Sequence, residues 1–388
     1  MRILHLLTYY RPWISGLTIY VERLARGLAA AGHDVTVLTS QYDPQLPHRE
    51  VMDGVSIVRV PVALRISKGV VMPSYGATLR RLLPSFDVAH LHLPQFDGAG
   101  IALNARLARV PSLLTIHGDI RLPDSPANRV VQRVIDTMNR IAGHNVDRVV
   151  SYTDDFAQHS KFLQRYRRKL AVVPPPIEMP TPDPAAVEAF RTQWKVGPGP
   201  NIGMVARLAT EKGVEVLAQA LELILPHAPG ARVFFVGPYK NVIGEEEYAQ
   251  RIHARLAALA ARHGACWDFT GPLQGPALAA FFAACDVHVL PSLNSTESFG
   301  LVQVESMLCG TPVICSDLPG VRVAPRVTGM GEVVPIGDAQ ALADAIVRVC
   351  ENRAHYVRPR AEIESHYSTQ RTVREYEKLY GELIAARR

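Results

Sequence analysis

The stretch Glu297-Ser298-Phe299-Gly300-Leu301-Val302-Gln303-Val304-Glu305 follows a short apolar run, Val287 to Leu290, and precedes Gly310. The apolar run predicts a strand, Pro291 to Thr296 a loop, and Phe299 to Leu308 a helix that Gly310 stops. One glutamate stands at the helix start and the other about two turns on, roughly 12 Å away at about 1.5 Å per residue. That is nearly the span of a sugar diphosphate with its ribose. Backbone N–H groups around Phe299 and Gly300, at the positive end of the helix, suit an anion such as a diphosphate. The flanking carboxylates suit pairs of hydroxyl groups. Taken alone, two glutamates on an amphipathic helix are as readily chance as a site.

A second strand-loop-helix unit lies upstream. Asn201 to Ala206 predicts a strand, Arg207 to Lys212 a loop, and Gly213 to Leu225 a helix with Val214, Leu217, Leu221 and Leu225 on one face. Arg207 at the strand end and Lys212 before the helix are placed to converge on an anion and to neutralise a departing diphosphate. The competing reading pairs Arg207 with Glu211 and Lys212 with Glu215 on the surface. That reading is preferred for the loop alone and becomes the minority view beside Glu297 and Glu305.

These motifs, in this order, resemble the retaining nucleotide-sugar glycosyltransferases of family 4. The resemblance rests on Gly203-Met204-Val205-Ala206-Arg207-Leu208, Glu211-Lys212-Gly213, Pro291-Ser292 and the stretch from Glu297 to Glu305. It continues through Gly310-Thr311-Pro312-Val313-Ile314 and Asp317-Leu318-Pro319-Gly320-Val321-Arg322. At the other end it includes Gly16, the helix Tyr20 to Ala31, Gly32-His33-Asp34-Val35-Thr36-Val37-Leu38 and Thr115-Ile116-His117-Gly118-Asp119. Each motif is weak alone, and their order and spacing carry the specificity over nearly the whole chain.

The chain has 388 residues, which favours two domains, and its 48% hydrophobic and 20% charged residues are those of a globular protein. Its apolar runs are too short to span a bilayer. Thr8-Tyr9-Tyr10-Arg11-Pro12 interrupts the apolar opening, so the start reads as a buried strand of a cytoplasmic protein rather than a signal peptide. Five cysteines without a Cys-x-x-Cys pair favour reduced thiols and no structural zinc.

Strands and helices alternate along the chain, so the fold class is α/β with parallel sheets. Candidate strands of the first half are Ile3 to Leu7, Val35 to Thr39, Val55 to Val60, Val88 to Leu91, Ser112 to Ile116 and Arg148 to Ser151. Those of the second are Asn201 to Ala206, Arg232 to Val236, Trp267 to Thr270, Val287 to Leu290 and Thr311 to Cys315. Pro174-Pro175-Pro176, with Pro180, Pro182 and Pro184, marks a linker over 174–200. It separates an acceptor-side domain, 1–173, from a donor-binding domain, 201–368. The resemblance implies the GT-B fold, two Rossmann-like domains facing each other across a cleft that holds the reaction, with the last helix, in 369–388, returning to the first domain.

Gly16 follows Ser15 in the loop after the first strand, where glycine lets backbone approach a phosphate. Many family members have two adjacent glycines there, so Ser15 is a departure, as is Val323 where many carry glutamate. A histidine ending a strand, as His117 does, is more often structural than catalytic. The resemblance sets it against the transferred sugar, positioning it and stabilising positive charge at its reacting carbon, with help from the neighbouring backbone carbonyl. Asp119 reads equally as a turn-former after Gly118 or as a residue that orients His117 or meets the acceptor.

The implied reaction is front-face transfer with retention, without a glycosidase-like carboxylate pair. Arg207, Lys212 and the helix start hold the leaving diphosphate, and Glu297 acts with them and His117. The expected donor contacts are Gly16, Arg207, Lys212, Gly237, Leu273, Glu297, Ser298, Phe299, Gly300, Leu301 and Glu305. In the family the nucleobase rests near Gly237-Pro238 and Gly271-Pro272-Leu273. No cofactor and no metal are expected: there is no Asp-x-Asp pair, and His90-Leu91-His92 has no obvious third ligand nearby. Core or cleft packing is the favoured role for those two histidines.

Charge is uneven. Residues 1–172 hold 22 Lys+Arg against 13 Asp+Glu, and the remainder 20 against 23. Within the basic half, the stretch from Lys161 to Lys169 mixes Lys161, Arg165, Arg167, Arg168 and Lys169 with Phe162, Leu163 and Tyr166. It reads either as a solvated surface or as a rest on an anionic membrane, peripheral at its inner face, which would make the acceptor lipid-linked. The expected partners are thus a nucleotide-sugar and a glycan or lipid-linked acceptor, with no nucleic acid. A nucleotide-sugar epimerase or phosphorylase, or a non-catalytic nucleotide-sugar-binding protein, is the alternative.

Overall fold

A computed structural model of the protein describes residues 1–66, 69–120, 126–242 and 244–387. The chain divides into two compact units, Met1–Ile177 with Tyr367–Arg388, and Glu178–His366.

The strands of the first unit are β1 (Arg2–Leu6), β2 (Asp34–Gln41), β3 (Arg49–Met52), β4 (Val55–Pro61), β5 (Leu64–Ile66), β6 (Gly69–Val71), β7 (Val88–Leu93), β8 (Ser112–Ile116), β9 (Arg148–Ser151) and β10 (Leu170–Val172). Eight of them form one sheet in the order β10-β9-β8-β7-β1-β2-β4-β3, and β5 and β6 make a separate ribbon. All neighbours in the large sheet are parallel except β3, which runs antiparallel to β4. Asp53 and Gly54, both at positive φ, make the two-residue turn between β3 and β4. β7 and β8 are buried along their whole length, as sheets covered on both faces require.

Helix α1 (Gly16–Ala30) presents Tyr20, Val21, Leu24, Ala25 and Leu28 to the core, an amphipathic spacing of three and four. The long α2 (Pro126–Asn145) follows β8 in the sequence. The C-terminal helix, Thr369–Ala385, belongs to this unit and buries Val373, Tyr376, Leu379, Tyr380 and Leu383.

The second unit holds β11 (Asn201–Val205), β12 (Arg232–Val236), β13 (Trp267–Gly271), β14 (Val287–Leu290), β15 (Val313–Ser316) and β16 (Gly331–Val334). They form a sheet, parallel throughout, in the order β13-β12-β11-β14-β15-β16. Its helices include α3 (Pro184–Gln193), α4 (Val214–Ile224), α5 (Gly275–Ala284) and α6 (Leu301–Leu308). The buried stripe Val214, Leu217, Leu221 of α4 packs with Ile202, Met204 and Phe235 of the sheet in one core.

Several boundaries differ from the sequence reading by a residue or more, and three of them have a plain physical cause. The stretch read as linker, 174–200, contains α3, whose Asp183 cap accepts a hydrogen bond from Ala185 N and whose Pro184 opens the first turn. Helix α6 begins at Leu301, not Phe299, because Gly300 takes a left-handed conformation. β15 begins at Val313, because Thr311 is held in a turn, its hydroxyl donating to Phe282 O at 2.7 Å.

In each sheet the strand order reverses beside the first strand, between β1 and β7 and between β11 and β14. Open α/β sheets bind ligands outside the carboxyl ends of the strands at that point.

Candidate active site

In the second unit two loops leave adjacent strand ends at the switch point, 206–213 after β11 and 291–300 after β14. Leu293 N donates to Glu211 O at 2.9 Å and ties them together. Gly213, at φ 69°, packs so closely that a Cβ there would lie 2.0 Å from the Pro291 carbonyl oxygen. Only glycine satisfies both demands. The contact brings Lys212 over the second loop, where Nζ meets the Glu297 carboxylate at 2.7 Å, with the side chains 19% and 16% exposed.

Arg207 stands at the same strand end. Its guanidinium pairs with Glu211 and lies 3.5 Å from Glu245. The other Glu245 oxygen accepts hydrogen bonds from Thr210 N and Oγ1, at 3.0 and 2.8 Å. Thus the surface pairing weighed for Arg207 with Glu211 occurs, while that of Lys212 with Glu215 does not: Glu215 accepts from Tyr248 instead. Sequence reasoning missed Glu245, more than thirty residues beyond its partner.

Ser298, Phe299, Gln303 and Glu305 are buried, whereas Glu297 and Leu301 are half-buried. The Gln303 amide donates to Phe299 O and, at 2.9 Å, to Val321 O, which fixes the turn before α6. That helix has no acidic residue in its first turn and no side-chain cap. Its positive end is therefore not neutralised by its own side chains. Gly237 N donates to Gly271 O, and a Cβ on Gly237 would lie 2.0 Å from Ala206 O, so the ends of β11, β12 and β13 are tightly drawn together. Leu273, half-buried, follows two residues later.

In the first unit the candidates sit at β1 and β8. Gly16 is the first residue of α1 rather than a residue of the preceding loop, with Ser15 as its cap, Oγ accepting from Thr18 N at 3.2 Å. Nothing lies within 4 Å of where a Gly16 Cβ would stand, so packing does not demand glycine there. His117 follows β8, its N–H donating to Leu93 O at 3.0 Å. Both of its ring nitrogens already have partners, Nδ1 the Tyr152 hydroxyl and Nε2 the Nδ1 of His92 at 3.0 Å. Asp119 accepts a long hydrogen bond, 3.4 Å, from Ser160 Oγ.

His90 and His92 do have a third imidazole beside them, contrary to the sequence reading. Parallel pairing sets His5 of β1 opposite His90 of β7. His5 Nδ1 lies 2.9 Å from His92 Nε2, and ligand nitrogens of His5, His90 and His92 fall within 4.8 Å of one another. His90 hydrogen-bonds the Tyr380 hydroxyl at 2.7 Å and Thr115 Oγ1 at 2.8 Å. Thr115 continues to Tyr376 at 2.9 Å and Tyr376 to Tyr20 at 2.7 Å. Burial drives the pKa of His5 and His117 down to about 3. It also holds His90 and His92 well below the ordinary imidazole value, neighbouring rings adding to the effect.

The basic stretch keeps most of its cations exposed but withdraws its apolar residues. Phe162, Leu163 and Tyr166 pack into the first unit's core. Lys169 donates to His144 O and Val146 O at 3.1 and 2.8 Å. Lys161, Arg165, Arg167 and Arg168 remain exposed. Among the described residues no helix is long and apolar enough to cross a membrane.

Residues 15–176 match the model of the glycosyl transferase 4-like domain, and residues 199–352 that of glycosyl transferases group 1. A GDP-mannose-dependent alpha-mannosyltransferase of Mycolicibacterium smegmatis is 30% identical over 370 residues, 92% of this chain and 90% of the relative. A phosphatidyl-myo-inositol mannosyltransferase of Mycobacterium leprae is 27% identical over 379 residues, covering 95% and 93%. Among solved structures, Anabaena HepE in complex with UDP and glucose superposes with a TM-score of 0.78 at 18% identity, over 98% of this chain and 99% of HepE. Sucrose-phosphate synthase of Thermosynechococcus elongatus does so with 0.76 at 21% identity, over 100% of each chain. With these matches joined to two Rossmann-like units, the chain belongs to the family 4 glycosyltransferases, enzymes of the GT-B fold that move a sugar from a nucleotide-sugar donor to a hydroxyl acceptor.

Proposed function

We propose that this transferase retains anomeric configuration, works without a metal, and draws its sugar from GDP-mannose. The observation that carries the reading is the Lys212–Glu297 pair beside Arg207 at the β11/β14 switch point. In this scheme Lys212 and Arg207 take up charge on the departing nucleoside diphosphate, a task a divalent cation performs elsewhere. The uncapped start of α6 receives a phosphate oxygen, and Glu305 accepts hydrogen bonds from ribose hydroxyls. Glu297, already bound to Lys212, orients that cation and meets a hydroxyl of the sugar.

The glycosidic C–O bond to phosphate breaks, the acceptor oxygen bonds to the same face of the sugar carbon, and the acceptor's proton passes to a phosphate oxygen of the leaving group. For His117 we assign a positioning role on the transferred sugar, with its backbone carbonyl facing positive charge. Gly16, Gly237, Leu273, Ser298, Phe299, Gly300 and Leu301 complete the donor contacts. The names of the mycobacterial relatives support mannose as the sugar and an inositol lipid as acceptor. Exposed Arg165, Arg167 and Arg168 support a cytoplasmic protein that rests on an anionic membrane surface through charge alone.

The test is nucleoside diphosphate release from GDP-mannose, UDP-glucose and ADP-glucose in the presence of chelator, with and without phosphatidylinositol, and NMR of the product's anomeric proton. Release from GDP-mannose alone with an α-linked product is expected. A β-linked product would overturn retention, and activity abolished by chelator and restored by a divalent cation would overturn metal independence.

A further inference from the structure

Each ring nitrogen of His92 meets another imidazole, Nε2 at 2.9 Å from His5 Nδ1 and Nδ1 at 3.0 Å from His117 Nε2. His117 Nδ1 continues to the Tyr152 hydroxyl. A neutral imidazole has one N–H and one lone pair, so such a chain can be filled with protons in only two ways. In one, every ring carries its proton on Nδ1, and donation runs outward from His5 through His92 and His117 to Tyr152. In the other, every proton sits on Nε2, and donation runs inward from Tyr152.

The inner end distinguishes them. Nε2 of His5 is completely buried and has no hydrogen-bond partner among the described residues. Outward donation leaves a bare lone pair there, and inward donation leaves an orphaned N–H. Buried N–H groups without an acceptor are the rarer and costlier defect. We infer that His5, His92 and His117 form a directed wire of Nδ1–H tautomers, in which His92 is a positioning residue that fixes the ring and the proton of His117.

The groups facing the wire come from every neighbouring element. Tyr20 of α1 lies edge-on to His117 with centroids 4.8 Å apart, and Tyr152 follows β9. His90 lies tilted against His92 with centroids 4.1 Å apart, and Thr115, Tyr376 and Tyr380 surround His90. The nitrogens of His5, His90 and His92 are close enough to suggest a metal centre. Yet His90 lies against His92 tilted by 33°, with its centroid 4.1 Å away, and its two nitrogens go to Tyr380 and Thr115. Metal ligation needs lone pairs converging in the ring planes, and these rings are stacked and bonded elsewhere.

The wire gives His117 a specific character. Its Nε2 lone pair is consumed inside the fold and its Nδ1–H is given to Tyr152, so the ring neither takes nor supplies a proton during transfer. It stays neutral, which spares a developing positive charge on a sugar carbon from an adjacent imidazolium. This consequence rests on the position proposed for His117, whereas the wire does not.

Two-bond nitrogen–proton NMR of the full chain labelled with 15N-histidine, assigned with single-histidine variants, reads the tautomers directly. The Nδ1–H pattern is expected for His5, His92 and His117. An Nε2–H pattern at any of the three overturns the wire whatever the enzyme transfers, and so does a stoichiometric metal ion on these rings. When one variant fails to fold, the others still assign the remaining rings, and an Nε2–H pattern on any one of them is enough to overturn the wire.

For His92, two replacements separate positioning from packing. His92→Leu removes the donor to His117, and we expect kcat to fall about tenfold, as for one lost hydrogen bond. In the nitrogen spectrum of this variant His117 should lose its single Nδ1–H pattern, while burial keeps the ring neutral. His92→Asn, which offers an N–H near the place of Nδ1, should stay within about threefold of the parent and keep the Nδ1–H pattern of His117. Tyr152→Phe, which removes the outer acceptor, should lower kcat in the same manner as His92→Leu. An active enzyme whose rate and His117 nitrogen spectrum ignore both His92→Leu and Tyr152→Phe overturns the positioning role. Correct tautomers in a protein that turns over no donor overturn the functional reading instead.

Discussion

Replacing Lys212 with methionine tests the donor site most directly, because it keeps the length of the side chain and removes only the charge. The ammonium lies 2.7 Å from Glu297, with the two side chains 19% and 16% exposed. At an effective dielectric constant of about 20, unit charges at that distance attract by about 6 kcal/mol. Desolvation of both groups returns most of this, so the pair's net contribution is about 1–2 kcal/mol. Lys212→Met should therefore lower the melting temperature by about 2–8 °C for a unit of this size. Glu297→Gln in the same chain should recover the part of that loss that an uncompensated carboxylate causes.

Turnover should behave differently. A cation that meets the leaving diphosphate does its work where charge accumulates, and removing it should reduce kcat by about 10²-fold to 10³-fold. The Glu297→Gln double variant should stay that slow. Nucleoside diphosphate release, measured beside thermal unfolding, separates the two effects. A Lys212→Met enzyme within about threefold of the parent would refute the reasoning. Recovery of turnover together with stability in the double variant would do the same, because Lys212 would then serve only as the partner of Glu297.

Three further outcomes follow from the geometry. Burial depresses the pKa of His5 and His117 to about 3 and lowers those of His90 and His92, so below about pH 6.5 the unfolded chain takes up protons that the folded one refuses. Their contribution is complete above that pH and is lost toward pH 3, each ring costing up to about 1.4 kcal/mol per pH unit. Thermal unfolding should thus fall steeply between pH 6 and 4.5, before most carboxylates titrate, and a flat profile there would contradict neutral buried rings. Glu305→Gln should weaken donor binding with little change in kcat, as seen by calorimetry, and unchanged affinity would remove Glu305 from the ribose. Replacing Arg165, Arg167 and Arg168 with serine should weaken binding to phosphatidylserine vesicles by about 1 kcal/mol for each charge, in a salt-dependent manner, and equal sedimentation would dismiss the membrane reading.

Parallel strands buried on both faces are written as apolar runs, which is why Ser112–Ile116, Arg148–Ser151, Arg232–Val236 and Val287–Leu290 were legible to the residue. β16 was not, because Gly331, Glu332 and Val333 are half-buried at the sheet edge and carry no such run. β3 was also missed, although the Asp53-Gly54 pair before Val55 is a hairpin turn, and α3 was missed although Asp183-Pro184 is a helix start. Proline density around the latter suggested a linker instead.

The Lys212–Glu297 pair was foreshadowed by two motifs that both read as strand-loop-helix. Glu245, arriving from the segment before another helix, had no local signature. His5 joins His90 and His92 only once β1 is known to lie beside β7 and in register with it. Strand order 3-2-1-4 would have supplied the neighbour, and the register required coordinates.

The C-terminal helix reaches into the first unit with two hydroxyls, Tyr376 on Thr115 and Tyr20, and Tyr380 on His90. The ribosome makes β1 well before this helix, with the whole second unit between them. Until then His90 Nδ1 and the Tyr20 hydroxyl lack the partners that the finished protein gives them, so the nascent first unit has its sheet but not its polar interior. Completion of that unit waits until the second has been made: a chain cut short anywhere before Tyr376 presents an unfinished first unit for proteolysis, even when its second unit is whole.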